Sequence, residues 1–208
     1  MTTLTAADPG APGIGRNDLS AELSAVLGRT GPGALAVVVR GEAGMGKTTL
    51  LGEATAAARE SGRQVLAARP AFGERDLPYA GLADLLSAIG LEAIARLPEP
   101  QRLALEVALL RSAPTEGSGD WRPVAQGLLE ILRGLAESAP VMVIIDDEPW
   151  LDQSTARVLG FALRRLGEAP ISSVTARRAP DSVPHSLSRY RWLSCSKIQE
   201  PAMEGGGF

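Results

Sequence analysis

Cysteine occurs once in the 208 residues, at Cys195, so no internal disulfide can form and the chain fits a reducing compartment. Histidine also occurs once, at His185, and neither residue has a partner at metal-ligand spacing. No apolar run approaches the roughly 18 residues that a membrane span requires. Met1 to Gly13 has neither a basic start nor an apolar core, which excludes a signal peptide over that stretch. An excess of basic charge is missing too: the net charge is −3 and the pI near 5.3, which argues against a nucleic-acid-binding surface. A cytoplasmic protein that meets neither membrane nor DNA directly is the expectation. Lysine is the scarcest of the common charges, for Lys47 and Lys197 are the only two among 21 basic residues. What remains is ordinary for a soluble globular chain, with 45% hydrophobic and 22% charged residues and room for one domain with a sizeable core.

Strand and helix patterns alternate. The β-branched run Ala34 to Val39 reads as a strand buried on both faces, and a helix is predicted from Lys47 to about Glu60, ended by Gly62. Further strands are predicted at Gln64 to Ala68, Val141 to Ile145 and Ile171 to Ala176. The stretch between the second and third strands is helical: Leu82, Leu85, Leu86 and Ile89 share one spacing, and Leu103, Val107 and Leu110 another. Val124, Leu128, Ile131, Leu132 and Leu135 mark a third, after a loop from Pro114 to Gly119. Leu19, Leu23, Val26 and Leu27 mark a leading helix, and Leu151 to Gly167 a late one. The pattern predicts an α/β fold, a parallel sheet flanked by helices with a helical insert between the second and third strands. Residues 1–13 read as a flexible start, 14–180 as the domain, and 181–208 as an atypical tail without clear periodicity.

One of the two lysines sits in a glycine loop. Gly41-Glu42-Ala43-Gly44-Met45-Gly46-Lys47-Thr48 fits G-x-x-x-x-G-K-[ST] and lies between a predicted strand and a predicted helix. Glycines let the backbone fold round phosphates, so that amide groups and the helix N-terminus face the anion. Lys47 would reach the β- and γ-phosphates as a compact charge, the Thr48 hydroxyl would ligate magnesium, and Thr49 continues the phosphate-binding turn. ATP with Mg2+ is the expected cofactor pair.

The strand Val141 to Ile145 ends in two carboxylates, at the sheet edge where α/β folds bind ligands. Asp146 is expected to hold magnesium through its water, and Asp147 either orients or deprotonates the attacking water, or merely caps the following turn. Arg177 and Arg178 follow the weak fourth strand, so that one approaches the γ-phosphate or both are a solvated pair. Gly15-Arg16 either lines the adenine pocket or leaves the arginine in solvent. Trp150 and Leu151 are expected in the core.

Several stretches together carry a resemblance: Ile14-Gly15-Arg16, the loop Arg40 to Thr48, Leu77-Pro78-Tyr79-Ala80-Gly81-Leu82, Asp146-Asp147 with Trp150-Leu151-Asp152, Phe161 to Leu166, and Thr175 to Arg178. Over residues 14 to 180 the chain resembles the N-terminal ATPase domain of the large ATP-binding LuxR-type transcription regulators, a STAND branch of the AAA-like P-loop NTPases. The resemblance implies slow ATP hydrolysis coupled to self-association or to partner domains of a regulator; the residues expected to carry catalysis are Lys47, Asp147 and Arg177. It also implies a fifth strand beside the P-loop strand, a helical lid and a DNA-reading module. After Arg178 the sequence departs from that pattern, offering only Tyr190 to Ile198 as a weak substitute strand, so the expectation is a truncated domain with an exposed apolar edge at Leu35 to Val39. Two other classes stay open, a P-loop kinase of a small acceptor and a non-catalytic nucleotide-binding fragment.

Overall fold

A run of small and β-branched residues without a polar alternation can only be satisfied between two layers, and Leu35–Gly41 is such a strand, β1. The computed structural model describes Leu23 and residues 35–113, 119–178 and 191–194, the last as backbone. Five strands form one sheet in the order β2-β3-β4-β1-β5, with β2 at Gln64–Ala68, β3 at Val141–Ile145, β4 at Ile171–Arg178 and β5 at Arg191–Ser194. Every neighbouring pair is parallel. The expected α/β architecture and the helical insert between β2 and β3 are both present.

Helix α1 (Lys47–Glu60) follows β1 and lies on one face of the sheet. Leu50, Leu51, Ala54 and Ala58 pack there with Val37 and Val39 of β1, Met142 and Ile144 of β3, Val174 of β4, and Leu23. It ends where Gly62 turns to φ +77°, with Gly62 N donating to Arg59 O and Arg63 N to Ala58 O, a paired capping pattern that favours glycine. The other face carries α2 (Ala80–Leu86), α3 (Leu91–Ala95), α4 (Glu99–Ala108), α5 (Trp121–Ser138) and α6 (Gln153–Leu163). Val124, Leu128, Ile131 and Leu132 of α5 recur at helical spacing and press on Val141, Val143 and Ile145. Asp120 caps α5 by accepting from Arg122 N at 3.0 Å, and the Arg122 side chain on its carboxyl holds Asp120 below the usual carboxylate range. Burying each of these leucines contributes about 2 kcal/mol, so the two cores on opposite faces pin the sheet from both sides.

The sheet differs from expectation at its end. Residues 191–194, within the segment read as only a weak substitute strand, pair in parallel with β1 from Val37↔Arg191 to Arg40↔Ser194. β1 is therefore flanked by β4 and β5 and is not an edge strand over Val37 to Arg40, where β5 pairs with it. The short helix Leu91–Ala95 was not marked by the periodicity, having only Ile94 as a buried residue. Met1 to Gly13, Arg16, the loop 114–118, His185, Cys195 and the leading helix apart from Leu23 lie outside the described residues.

Candidate functional site

The C-terminal ends of β1, β4 and β3 lie side by side, because β4 is hydrogen-bonded between the other two. The sheet order thus brings together three sequence stretches that are far apart in the chain. From β1 the chain enters the glycine loop. Gly44 and Gly46 adopt φ +80° and +75°, the left-handed region that other residues reach only with strain, so the loop needs glycine at both positions. Gly46 is also the residue from which α1 starts, Leu50 N donating to its carbonyl at 2.9 Å. The first turn of α1 contains no acidic residue, and its leading amides have no acceptor within the helix, so the positive end of the helix dipole faces the loop unopposed by its own side chains.

Lys47 is 7% exposed and folds back on the loop, its Nζ donating to Gly41 O at 2.9 Å and Glu42 O at 2.8 Å. An ammonium has three donors, so two carbonyls orient it without exhausting it. Glu42, Ala43, Gly44, Thr48 and Thr49 are exposed, while Met45 and Gly46 are half-buried. The loop therefore presents backbone and a buried cation rather than bulky side chains.

Thr48 and Asp146 line one cleft of about 340 Å³ between α1, the ends of β2 and β3, and α2. Asp146 is 8% exposed, its amide donates to Ala68 O at 3.1 Å, and its Oδ1 is buried without a hydrogen-bond partner among the described residues. A buried carboxylate oxygen left unsatisfied is costly, and a cation supplies the missing partner. A carboxylate and a threonine hydroxyl facing one space are hard oxygen donors that suit Mg2+, which takes one or two protein ligands and completes its shell with phosphate and water. The residues present fit the metal.

Asp147 stands next in the chain with φ +53°, a conformation uncommon for an aspartate and a form of strain that concentrates at functional loops. It occupies the cap position of the 3₁₀ turn Glu148–Trp150, yet its side chain makes no capping hydrogen bond. Arg178 Nε lies 3.9 Å from its Oδ1, and the Arg178 guanidinium sits 5.7 Å from the Trp150 ring centre. Arg177 behaves differently. It is 4% exposed, so it is not half of a solvated pair, and its Nη2 lies 3.4 Å from Glu148 Oε2. Its Nε and Nη1 are buried without hydrogen-bond partners among the described residues. In register Arg177 faces Arg40, so two arginines stand side by side at the sheet edge.

Trp150 and Leu151 are half-buried; Leu151 packs against the core as expected, whereas Trp150 meets the exposed Phe72 edge to face at 4.9 Å. Two participants escaped sequence reasoning. Glu148 pairs with Arg177, which only the fold reveals. Asp152 is 3% exposed and accepts three backbone N–H groups, from Thr155 at 2.8 Å and Tyr79 at 2.9 Å on Oδ1, and from Gly81 at 3.0 Å on Oδ2. Thr155 Oγ1 accepts a fourth, from Leu82 at 2.9 Å. Asp152 thereby caps its own helix α6 and the start of α2 together; the Asp-x-x-Thr spacing signals the first role and nothing local signals the second. The phenol of Tyr79 is raised by burial and by the Asp152 carboxylate.

A model of the AAA ATPase domain family matches residues 13–174. Among solved structures the chain is similar to Cdc6p from Pyrobaculum aerophilum, at 17% identity and a TM-score of 0.55, over 91% of this chain and 48% of that one. It also aligns with Drosophila ORC bound to AT-rich DNA and Cdc6 (13% identity, TM-score 0.48, 86% and 56% covered) and with AMPPCP-bound DnaA from Aquifex aeolicus (15%, 0.42, 84% and 44%). The chain spans about half the length of these solved chains. No curated protein matches it. Among the described residues no helix is long and apolar enough to cross a membrane. The likeness to Cdc6p shows the fold, and the family match covers most of the sequence: the chain belongs to the AAA ATPase domain family, as a nucleotide-binding P-loop domain.

Proposed function

We propose that the domain is the ATP-dependent switch module of a LuxR-type transcription regulator, binding ATP with Mg2+ in the cytoplasm and hydrolysing it slowly. The observation that carries the nucleotide chemistry is the cleft that Thr48, next to Lys47, and Asp146 line together, with Asp146 Oδ1 buried and without a hydrogen-bond partner among the described residues. Gly41 to Gly46 and the start of α1 wrap the phosphates with amides, and Lys47 adds the charge. Thr48 and Asp146 hold the magnesium, which draws negative charge from the phosphate oxygens when bound. Asp147 orients the attacking water and accepts its proton, and buried Arg177 senses the γ-phosphate from the end of β4. Arg16 is assigned to the adenine side by the motif resemblance alone. That resemblance also supports the regulator role, in which nucleotide state controls self-association or contacts to other regulator domains while DNA is read elsewhere.

Lys47→Ala tests the reading. ATP that binds only the folded state raises the melting temperature, by several degrees at about a hundredfold excess over Kd. The variant is expected to lose that shift while keeping the melting temperature of the ligand-free parent within a few degrees; an undiminished ATP shift would sink the phosphate assignment. A second reading, phosphoryl transfer to a small acceptor, is favoured by the extension of the cleft beyond Asp146 to Thr55, Arg59, Arg69 and Asp84. A phosphorylated product from a metabolite panel would select it, and ATP binding with only background phosphate release would select a non-catalytic module.

A further inference from the structure

The loop from Asp146 to Leu151 is anchored at both ends and strained in the middle. Its first residue is tied to β2 through Asp146 N and Ala68 O, and Asp147 holds a left-handed conformation. Its internal bonds, Trp150 N to Asp147 O and Leu151 N to Glu148 O at 2.9 Å each, only close the turn on itself. What holds the far end is Asp152, whose carboxylate gathers amides from α6 and from the approach to α2. The fit is close: a Cβ on Gly81 would stand 2.4 Å from Leu151 Cδ1, so the end of the loop rests directly on α2. Helix α2 contributes Asp84, and its C-cap Ser87, to the cleft that Thr48 and Asp146 line.

We propose that Asp152 is a positioning residue for the magnesium–nucleotide site, clasping the loop that carries Asp146 and Asp147 to the helix that walls the cleft. The assignment rests on the metal and nucleotide reading above. Asp152 does not itself line the cleft; it acts through the strained Asp147 and through the placement of α2. Tyr79 itself has φ +65°, so the approach to α2 is strained as well, and the Asp152 carboxylate holds that strained residue by accepting its amide. A carboxylate is required because Oδ1 serves Tyr79 and Thr155 while Oδ2 serves Gly81; a shorter hydroxyl caps α6 but does not span to α2.

The test compares the full chain with Asp152→Ser, which keeps an N-cap for α6, and Asp152→Asn, which keeps one accepting oxygen. ATP affinity is measured with Mg2+ and in EDTA, ATP turnover is measured, and hydrogen exchange follows the amides of Tyr79, Gly81 and Thr155. Asp152→Ser is expected to weaken Mg2+-dependent affinity and turnover each by about tenfold or more, with Asp152→Asn between it and the parent. Affinity in EDTA stays within about twofold, a split that general loosening of the fold does not produce. Loss of protection at Tyr79 and Gly81 with parental Mg2+-dependent affinity and turnover overturns the proposal. A parent that binds ATP better with Mg2+ yet never turns it over defeats the hydrolytic reading alone, and the affinity split then decides for Asp152. A parent indifferent to Mg2+ in both assays defeats both. Where Asp152→Ser does not fold, Gly81→Ala pushes Leu151 from the opposite side with the carboxylate intact. The same affinity split there supports the clasp, and parental behaviour overturns it.

Discussion

Asp146 and Asp147 are neighbours in sequence with opposite surroundings. Asp146 is buried with an unsatisfied oxygen beside Thr48, whereas Asp147 is about one-third exposed, strained and near Arg178. Asp146→Asn is expected to weaken ATP binding about tenfold in Mg2+ with little change in EDTA, since it removes a metal partner. Asp147→Asn should leave binding within about twofold and lower turnover about a hundredfold, the range of a lost general base. Turnover by Asp147→Asn at the parental rate would make Asp147 a purely structural residue. The glycine loop was legible residue by residue because all its parts lie within eight positions, and the two acids were legible because they end an apolar strand. The burial of Arg177 was not, since an arginine pair reads the same whether solvated or sealed at the end of a central strand. Asp152 was hidden for a related reason: its partners Tyr79 and Gly81 precede it by 73 and 71 positions, and local pattern shows only the cap it gives its own helix.

Among the elements, α5 offers an internal comparison. Gly127 and Gly134 occupy the same helix, but a Cβ at Gly127 would lie 2.7 Å from Leu105 Cδ1, while one at Gly134 meets nothing within 4 Å. Leu105 is fully buried on α4, so a Cβ at Gly127 forces its side chain to move within the packed core. Gly134→Ala should stabilise by about 0.5–1 kcal/mol through helix propensity. Gly127→Ala gains the same propensity but adds overpacking of about 1–3 kcal/mol, and should be destabilised on balance. Urea midpoints of the two variants measure the contrast; equal shifts of the same sign would show that the α4–α5 contact yields without cost. Element boundaries followed the sequence where apolar periodicity was strong. Lys47–Glu60, Gln64–Ala68 and Val141–Ile145 begin and end where predicted. The late helix is shorter than predicted, Gln153–Leu163 against Leu151 to Gly167, because Asp152 starts it with a cap and Gly167 at φ +63° lies in the turn beyond its end.

At the scale of the whole molecule the sheet decides whether the P-loop strand is protected. β1 sits between β4 and β5, and among the described residues the short β5 is what covers that side of its apolar backbone. A chain ending after Arg178 should therefore associate where the full chain does not, a comparison that light scattering in nucleotide-free buffer makes directly. Equal scattering by the two chains would mean that β5 contributes nothing to guarding that edge. β5 escaped recognition because Arg191-Trp192-Leu193-Ser194 is too short to show a period, and its pairing is fixed by β1 rather than by its own composition.

The same placement of β1 sets an order of assembly. Val37 pairs with Val174 on one side and Arg191 on the other, both encoded more than half a chain later. A ribosome makes the glycine loop well before β4 and β5, so the strand that holds the loop stays without either neighbour until both have been made. Such non-local pairing is slow, since the entropy of closing long loops must be met before any contact rewards it. The loop that β1 carries is thus fixed late in folding, only after β4 and β5 downstream have been made and have paired with it.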